Sequence, residues 1–204
     1  RNHDIVVGWF RTLPEAERIL ARWLGHEVPC TGIRPLTGGC INSVYELAFD
    51  HDASPVVAKL SATPGDRELQ RQAHVMDYFR RHTSFPGPEL LCCDTTCECV
   101  PYSFVVIQRL PGTHLGQAEL SPRQRGALQV EMAHHLADLH RHAGGAFGDL
   151  IAGDGRETWA EWKQQEMLEV YRENERVGRL SQDTMRRIAE IIGDLPTLLE
   201  APLQ

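Results

Sequence analysis

Long hydrophobic runs are missing from this chain of 204 residues. No stretch approaches the ~20 apolar residues that a membrane-spanning helix requires, so no membrane role is expected. A basic excess is missing too. Lys and Arg number 21 against 28 Asp and Glu, a net charge of -7 at pH 7, which argues against a non-specific nucleic-acid binder. The opening Arg1-Asn2-His3-Asp4 shows no signal-peptide pattern, and the expected location is cytoplasmic. No internal repeat and no low-complexity tract is visible. Four of the six cysteines cluster as Cys92, Cys93, Cys97 and Cys99, but without the paired spacing of a zinc ribbon. Reduced, partly buried thiols are the expectation. His134, His135, His140 and His142 share one helical stretch, yet they lack the His-Glu-x-x-His pattern and scatter around the helix. No metal site is assigned to them.

What is present is enough apolar residue, 42%, for a real core. Thr12-Leu13-Pro14-Glu15 reads as a helix start, with Thr12 and Glu15 as a capping box. Ile19, Leu20, Trp23 and Leu24 follow at helical spacing, and Gly25 is the stop. Residues 28–36 are extended but hold Pro29 and Pro35, which suits an edge strand. Residues 43–49 and 56–60 pair as a hairpin across an acidic turn. Asp66 caps a helix with Leu69, Ala73, Met76 and Phe79 on one face, and Pro86-Gly87-Pro88 stops it. Residues 90–94 and 102–110 form a second hairpin through the cysteine-rich turn. After Pro111 the chain turns helical: from Ser121-Pro122 to Gly144-Gly145, then 158–176, then 181–199. The expected organisation is a small lobe over 1–110, a hinge and linker over 111–120, and an incomplete helical large lobe over 121–204. Trp9, Trp23, Trp159 and Trp162 are assigned to core or lobe packing.

Three features could carry chemistry. Gly38 and Gly39 stand between two strands, where a sharp turn brings backbone N–H groups close to a ligand such as a phosphate. A Gly-Gly hairpin that binds nothing is the plainer alternative. Lys59 ends the apolar run Val56-Val57-Ala58, about one strand later. It reads either as an outward-facing lysine or as a phosphate ligand held by a carboxylate of the next helix, with Glu68 the candidate. The apolar strand Phe104-Val105-Val106-Ile107 then leads into Gln108-Arg109-Leu110-Pro111-Gly112.

Taken in order, Leu36-Thr37-Gly38-Gly39, Asn42-Ser43-Val44-Tyr45, Val56-Val57-Ala58-Lys59 and Val105 to Gly112 resemble the aminoglycoside phosphotransferase family. That family belongs to the protein-kinase-like fold, with choline and fructosamine kinases as relatives. Leu136-Ala137-Asp138-Leu139-His140, then Phe147-Gly148-Asp149-Leu150 and Trp159-Ala160-Glu161-Trp162, resemble the family's next segments. The implied fold is α+β: an antiparallel-sheet small lobe plus the first helices of a helical large lobe.

The resemblance implies that Gly38, Gly39, Asn42 and Ser43 sit over the triphosphate of ATP and that Lys59 meets its α and β phosphates. It makes Gln108, Arg109 and Leu110 a hinge whose backbone holds adenine, with Ile107 at the back of the base pocket. The family's glutamate falls at Gln72, so either Glu68, one turn earlier, pairs with Lys59 or the ion pair is weakened. No His-Gly-Asp loop and no Asp-Phe-Gly-like motif occurs. Asp149 is not assigned as catalytic, because Asp154 stands where an asparagine belongs and two further helices follow. The implied activity is ATP- and Mg2+-dependent phosphoryl transfer to a hydroxyl of a small-molecule acceptor, an antibiotic of the aminoglycoside kind or another metabolite. In that reading this chain supplies the nucleotide-binding part, with catalytic and metal-binding aspartates expected beyond Gln204. The alternative is a catalytically inactive kinase-like module that binds nucleotide or a partner. The acceptor, the choice of ATP over GTP and the oligomeric state do not follow from the residues.

Overall fold

The computed structural model describes residues 12–36, 42–50, 53–148 and 155–199. The chain forms two compact units, which meet in sequence between His142 and Ala143.

The first unit is built on five antiparallel strands: β1 (Cys30–Leu36), β2 (Ser43–Phe49), β3 (Val56–Ser61), β4 (Leu90–Asp94) and β5 (Ser103–Gln108). Their order is β1-β2-β3-β5-β4. β3 is central and β5 lies beside it, so these are the strands whose residues run buried almost without a break. β1 is an edge, as its proline content predicts.

Strand alternation divides the apolar residues between two faces. On one face Tyr45, Leu47, Phe49, Ala58, Leu60, Phe104 and Val106 pack with Ala16, Ile19 and Leu20 of α1 (Leu13–Leu24). The Trp23 ring meets Phe49 edge-on, with centroids 5.6 Å apart. On the other face Leu69 and Ala73 of α2 (Arg67–His82) pack on Val105, with Met76, Leu90 and Ile107 around them. Burying each large apolar side chain is worth about 1.5–3 kcal/mol. An exposed ion pair such as Arg71–Glu68 or Arg176–Glu173 gives roughly 0–1 kcal/mol. The two apolar layers therefore set the fold, and the helix-surface pairs adjust it.

Two expectations at helix ends are corrected. Thr12 makes no side-chain cap; its carbonyl, not its hydroxyl, takes the Glu15 N–H at 3.2 Å. The helix after Ser121, α3 (Pro122–Leu139), ends five residues before Gly144. Its start is a capping box between Ser121 and Gln124. α3 stands with the sheet in the first unit rather than with the later helices. Asp138 accepts from the Ser84 N–H at 2.9 Å and from the Ser84 hydroxyl at 2.7 Å, and His135 meets the Phe85 ring. Val130, Met132 and Leu136 of α3 are exposed.

The second unit carries α4 (Trp159–Val177) and α5 (Gln182–Leu199). Thr158 and Glu161 form a capping box at the start of α4, and Gly178 closes it with a positive φ of 67°. Ala160, Ile192 and Leu195 are buried, and the Gln164 amide donates to the Ile192 carbonyl at 3.0 Å. Trp159, assigned to core or lobe packing, is 43% exposed; its ring lies 4.9 Å from that of Trp162, with Lys163 over both rings. Trp9 lies outside the described residues. No described helix is long and apolar enough to cross a membrane.

The cysteine-rich turn works as a structural clamp. Cys30, Cys92, Cys93, Cys97 and Cys99 are free thiols. Burial, with the Asp94 carboxylate, pushes Cys92 up to about 11, so its thiolate is scarce at neutral pH. Asp94 is buried and accepts from the Thr96 N–H (2.8 Å), the Thr96 hydroxyl (2.7 Å) and Arg22 of α1 (2.7 Å). Burial alone would raise its carboxyl, but Thr96 and Arg22 outweigh that and hold it below the ordinary value. A carboxyl depressed in the folded state adds stability above its unfolded value, about 4, and loses it as pH falls through the folded value. Asp94→Asn should therefore flatten the fall in unfolding free energy below about pH 4. Urea titrations at stepped pH values test this, and identical slopes for the two chains would refute it.

Candidate functional site

In an antiparallel ladder, residues directly opposite one another point to the same side. Val44, Lys59 and Val105 form one such row, and Glu46, Val57 and Ile107 form the next. Both rows lie on the face that α2 covers. Lys59 is thus set on the side away from the α1 core, beside the apolar side chains of Val57 and Ile107.

The start of α2 is anchored by a lattice of hydrogen bonds. Ser103, fully buried, donates to the Thr63 carbonyl at 2.8 Å and accepts from the Asp66 N–H at 3.4 Å. The Asp66 carboxylate caps the helix through the Leu69 N–H at 3.0 Å and accepts from the Ser61 hydroxyl. Burial pushes the Asp66 carboxyl up. The Ser61 hydroxyl, the Leu69 and Glu68 N–H groups and the Lys59 charge together overcome it, so the group stays ionised below its usual range. Gly65 sits at φ +64°, where a β-carbon is strained, and its N–H reaches the Thr95 carbonyl at 3.1 Å. Gln70 bonds the Thr95 hydroxyl at 2.6 Å. The cysteine-rich turn therefore holds the same helix end that faces Lys59.

That anchoring brings Gln72 to the lysine. The Lys59 ammonium donates to the Gln72 side-chain carbonyl. The Gln72 amide nitrogen donates in turn to Glu68 at 2.8 Å, and Glu68 also pairs with Arg71. Of the two partners that the sequence left open, Gln72 makes the direct contact, and Glu68 stands behind it.

At the hinge end, Gln108 is exposed. Its N–H donates to the Glu89 carbonyl at 2.9 Å, and its side chain accepts from the Glu89 N–H at 3.3 Å. Leu110 is 40% exposed, and its carbonyl accepts from Arg109. Arg109 also donates to Glu46 at 2.8 Å. Ile107 is on the Lys59 face. Asn42 is partly exposed just before β2. Ser43 is opposite Leu60 and 7% exposed, so its side chain belongs to the α1 side of the sheet and not to the Lys59 face. Gly38 and Gly39, like Asp149 and Asp154, lie outside the described residues.

Single motifs did not mark Val44, Glu46 and Val57 as neighbours of Lys59, whereas Asp66 caps α2 as its place before the helix predicts. The two-residue period linking Val57 to Lys59 and Val105 to Ile107 was the available signal for the floor of the site. Nothing local marked Glu46, whose partners are 12 and 63 residues away. Among the described residues no three His, Cys, Asp or Glu side chains converge on a point that could hold a metal ion.

Comparison with known proteins bears on this arrangement. The family model described as "Phosphotransferase enzyme family" matches residues 32–201. No curated protein matches the chain in sequence. Among solved structures, a protein of Haemophilus somnus 129PT provisionally assigned as a fructosamine-3-kinase is similar at 15% identity and TM-score 0.61, over 91% of this chain and 61% of that one. A protein of Ralstonia eutropha JMP134, provisionally assigned as an aminoglycoside phosphotransferase, is similar at 18% identity and TM-score 0.56, over 82% and 48%. A thermostable mutant of aminoglycoside phosphotransferase APH(4)-Ia, in its apo form, gives 19% and 0.55, over 92% and 61%. These likenesses show the fold, an antiparallel sheet with helices as in the kinase-like phosphotransferases. The chain spans about half to three-fifths of the length of the structures it matches.

Because Asp66 fixes the helix that presents Gln72, Asp66→Ala should lower unfolding free energy by roughly 1 kcal/mol, the usual loss for an N-cap. It should also speed amide exchange in the first turn of α2. Unchanged exchange at Leu69 and Gln70 would dismiss the anchoring role.

Proposed function

This chain belongs to the phosphotransferase enzyme family, and on that premise we propose that it supplies the nucleotide-binding part of an ATP-dependent phosphotransferase whose acceptor is a small-molecule hydroxyl. The observation that carries the reading is the placement of Lys59. An ammonium stands beside the apolar side chains of Val57 and Ile107 and is held by a neutral amide, Gln72. The amide orients the ammonium without placing a formal charge in direct contact with it. An apolar strip next to an oriented cation fits a purine base joined to phosphates. Transfer in this class rests on positioning and charge neutralisation. Lys59 would bind the α and β phosphates, and Gly38, Gly39 and Asn42 would add to the cradle. For Ser43 only the main chain is on offer, since its hydroxyl belongs to the other face. Ile107 would line the base, with Gln108 and Leu110 as the hinge. Glu68 would act at one remove, by orienting Gln72. Mg2+, when bound, would supply neutralisation of phosphate charge in this chemistry; no described residue of this chain is given a share in holding it. An acceptor of the aminoglycoside kind, a role in antibiotic resistance and a cytoplasmic setting belong to this proposal.

Gln72 also favours a second reading. A family member that lacks the direct carboxylate partner suits a module that binds nucleotide without transferring phosphate. ATP binding without phosphoryl transfer to any of a panel of aminoglycosides and amino sugars would select it.

Calorimetry on the full chain tests the primary reading. Lys59→Ala should weaken ATP by about 10- to 100-fold, the loss of one or two charge-assisted hydrogen bonds, and leave adenosine unaffected. Equal ATP affinity in the two chains would sink the assignment of Lys59.

A further inference from the structure

The hinge end of this face carries a charge arrangement that phosphate binding does not use. Glu46 of β2 lies in the row with Val57 and Ile107, about 7 Å along the strand from the Lys59 row. Its carboxylate takes a two-pronged contact from Arg34 of β1, with Nε to Oε1 at 3.0 Å and Nη2 to Oε2 at 2.7 Å. It also takes Arg109 Nε at 2.8 Å. Arg109 Nη1 donates at the same time to the Leu110 carbonyl. One guanidinium thus spans β2 and the hinge backbone.

The plain alternative is a surface ion pair with no consequence. Exposure argues against it. The side chains of Glu46 and Arg109 are 16% and 33% exposed, whereas Arg34 is 61% exposed. A partly covered, two-cation carboxylate is stronger than an isolated exposed pair. The Arg34 and Arg109 guanidiniums hold its carboxyl below the ordinary range, so it stays charged wherever the chain is folded at neutral pH. The planar fork of an arginine presents fixed donors to a carboxylate and a carbonyl at once.

We infer that Glu46 and Arg109 are positioning residues, a clasp that ties β2 to the hinge, sets the Leu110 carbonyl and so governs affinity for the nucleoside end of the ligand. The inference rests on the reading of the Lys59 face as a nucleotide site. Lys59 and the clasp act on opposite ends of one ligand, and truncated ligands therefore separate them.

The test is calorimetry of the full chain with ATP, ADP and adenosine as probes, and a thermal scan of each variant to confirm folding. Arg109→Ala and Glu46→Gln should each weaken all three probes by a similar factor, about 5- to 20-fold. The double variant should be no weaker than the worse single, because both remove one contact. Arg109→Lys should fall between wild type and Arg109→Ala. A purely structural role would lower the melting temperature without this common factor. The clasp is overturned if Arg109→Ala leaves all three affinities unchanged, if the loss grows with phosphate number, or if the single effects multiply. If Lys59→Ala still weakens ATP alone in that case, the nucleotide reading survives without the clasp. If the wild-type chain binds neither ATP nor adenosine, both fall together.

Discussion

The alternation of side chains along β3 is the constraint on which the first unit depends. Ala58 and Leu60 enter the core beneath α1, while Val57 and Lys59 face α2. A slip of one residue in the pairing of β3 with β2 or β5 would exchange the faces. It would drive the Lys59 ammonium among Leu47, Phe104 and Val106, where an unpaired charge costs several kcal/mol. It would also bring Ala58 and Leu60 against α2. The register is thus set by apolar burial on one side and by charge on the other, and the site inherits its geometry from that choice.

From the placement of Lys59 the rest of the arrangement follows by short-range bonding. The Ser61, Asp66 and Ser103 lattice fixes where α2 begins. The Thr95 contacts tie that start to the cysteine-rich turn, and Arg22 with Asp94 ties the turn to α1. Gln72 sits about one and a half turns along α2, so any rotation of the helix start would swing its amide away from the lysine. Within the cysteine-rich turn, Cys92 and Cys99 lie against the main core beside this anchor.

The amide at position 72 changes how the lysine is held. A carboxylate there would cancel much of the ammonium charge across one contact. The amide passes only part of the influence of Glu68 and leaves the cation oriented but available. At the hinge the balance is opposite. Glu46 receives two guanidiniums, so the anion is paired from two sides. An oriented cation at one end of this face and a closed ion network at the other are what the proposed nucleotide reading rests on.

Much of this was legible in the chain itself. A period-two run marked β2 and a short apolar run marked β3, period-3.6 spacing marked α1 and α2, and Gly25, Asp66, Ser121 and Thr158 stood near the helix ends that formed. The order of the glycine pair, Lys59 and the apolar strand before Gln108 pointed to the family. Contacts between distant residues were not legible. That Gln72 rather than Glu68 touches Lys59 depends on the rotation of α2, set by Ser103 and Thr95. That Glu46 gathers Arg34 and Arg109 depends on three segments meeting across the sheet. That α3 stands with the sheet depends on Ser84 and Asp138, 54 residues apart. Local propensity and periodicity act over a few residues and are written in the sequence; the pairing of charges and amides across the sheet is decided only when the strands and helices close on one another.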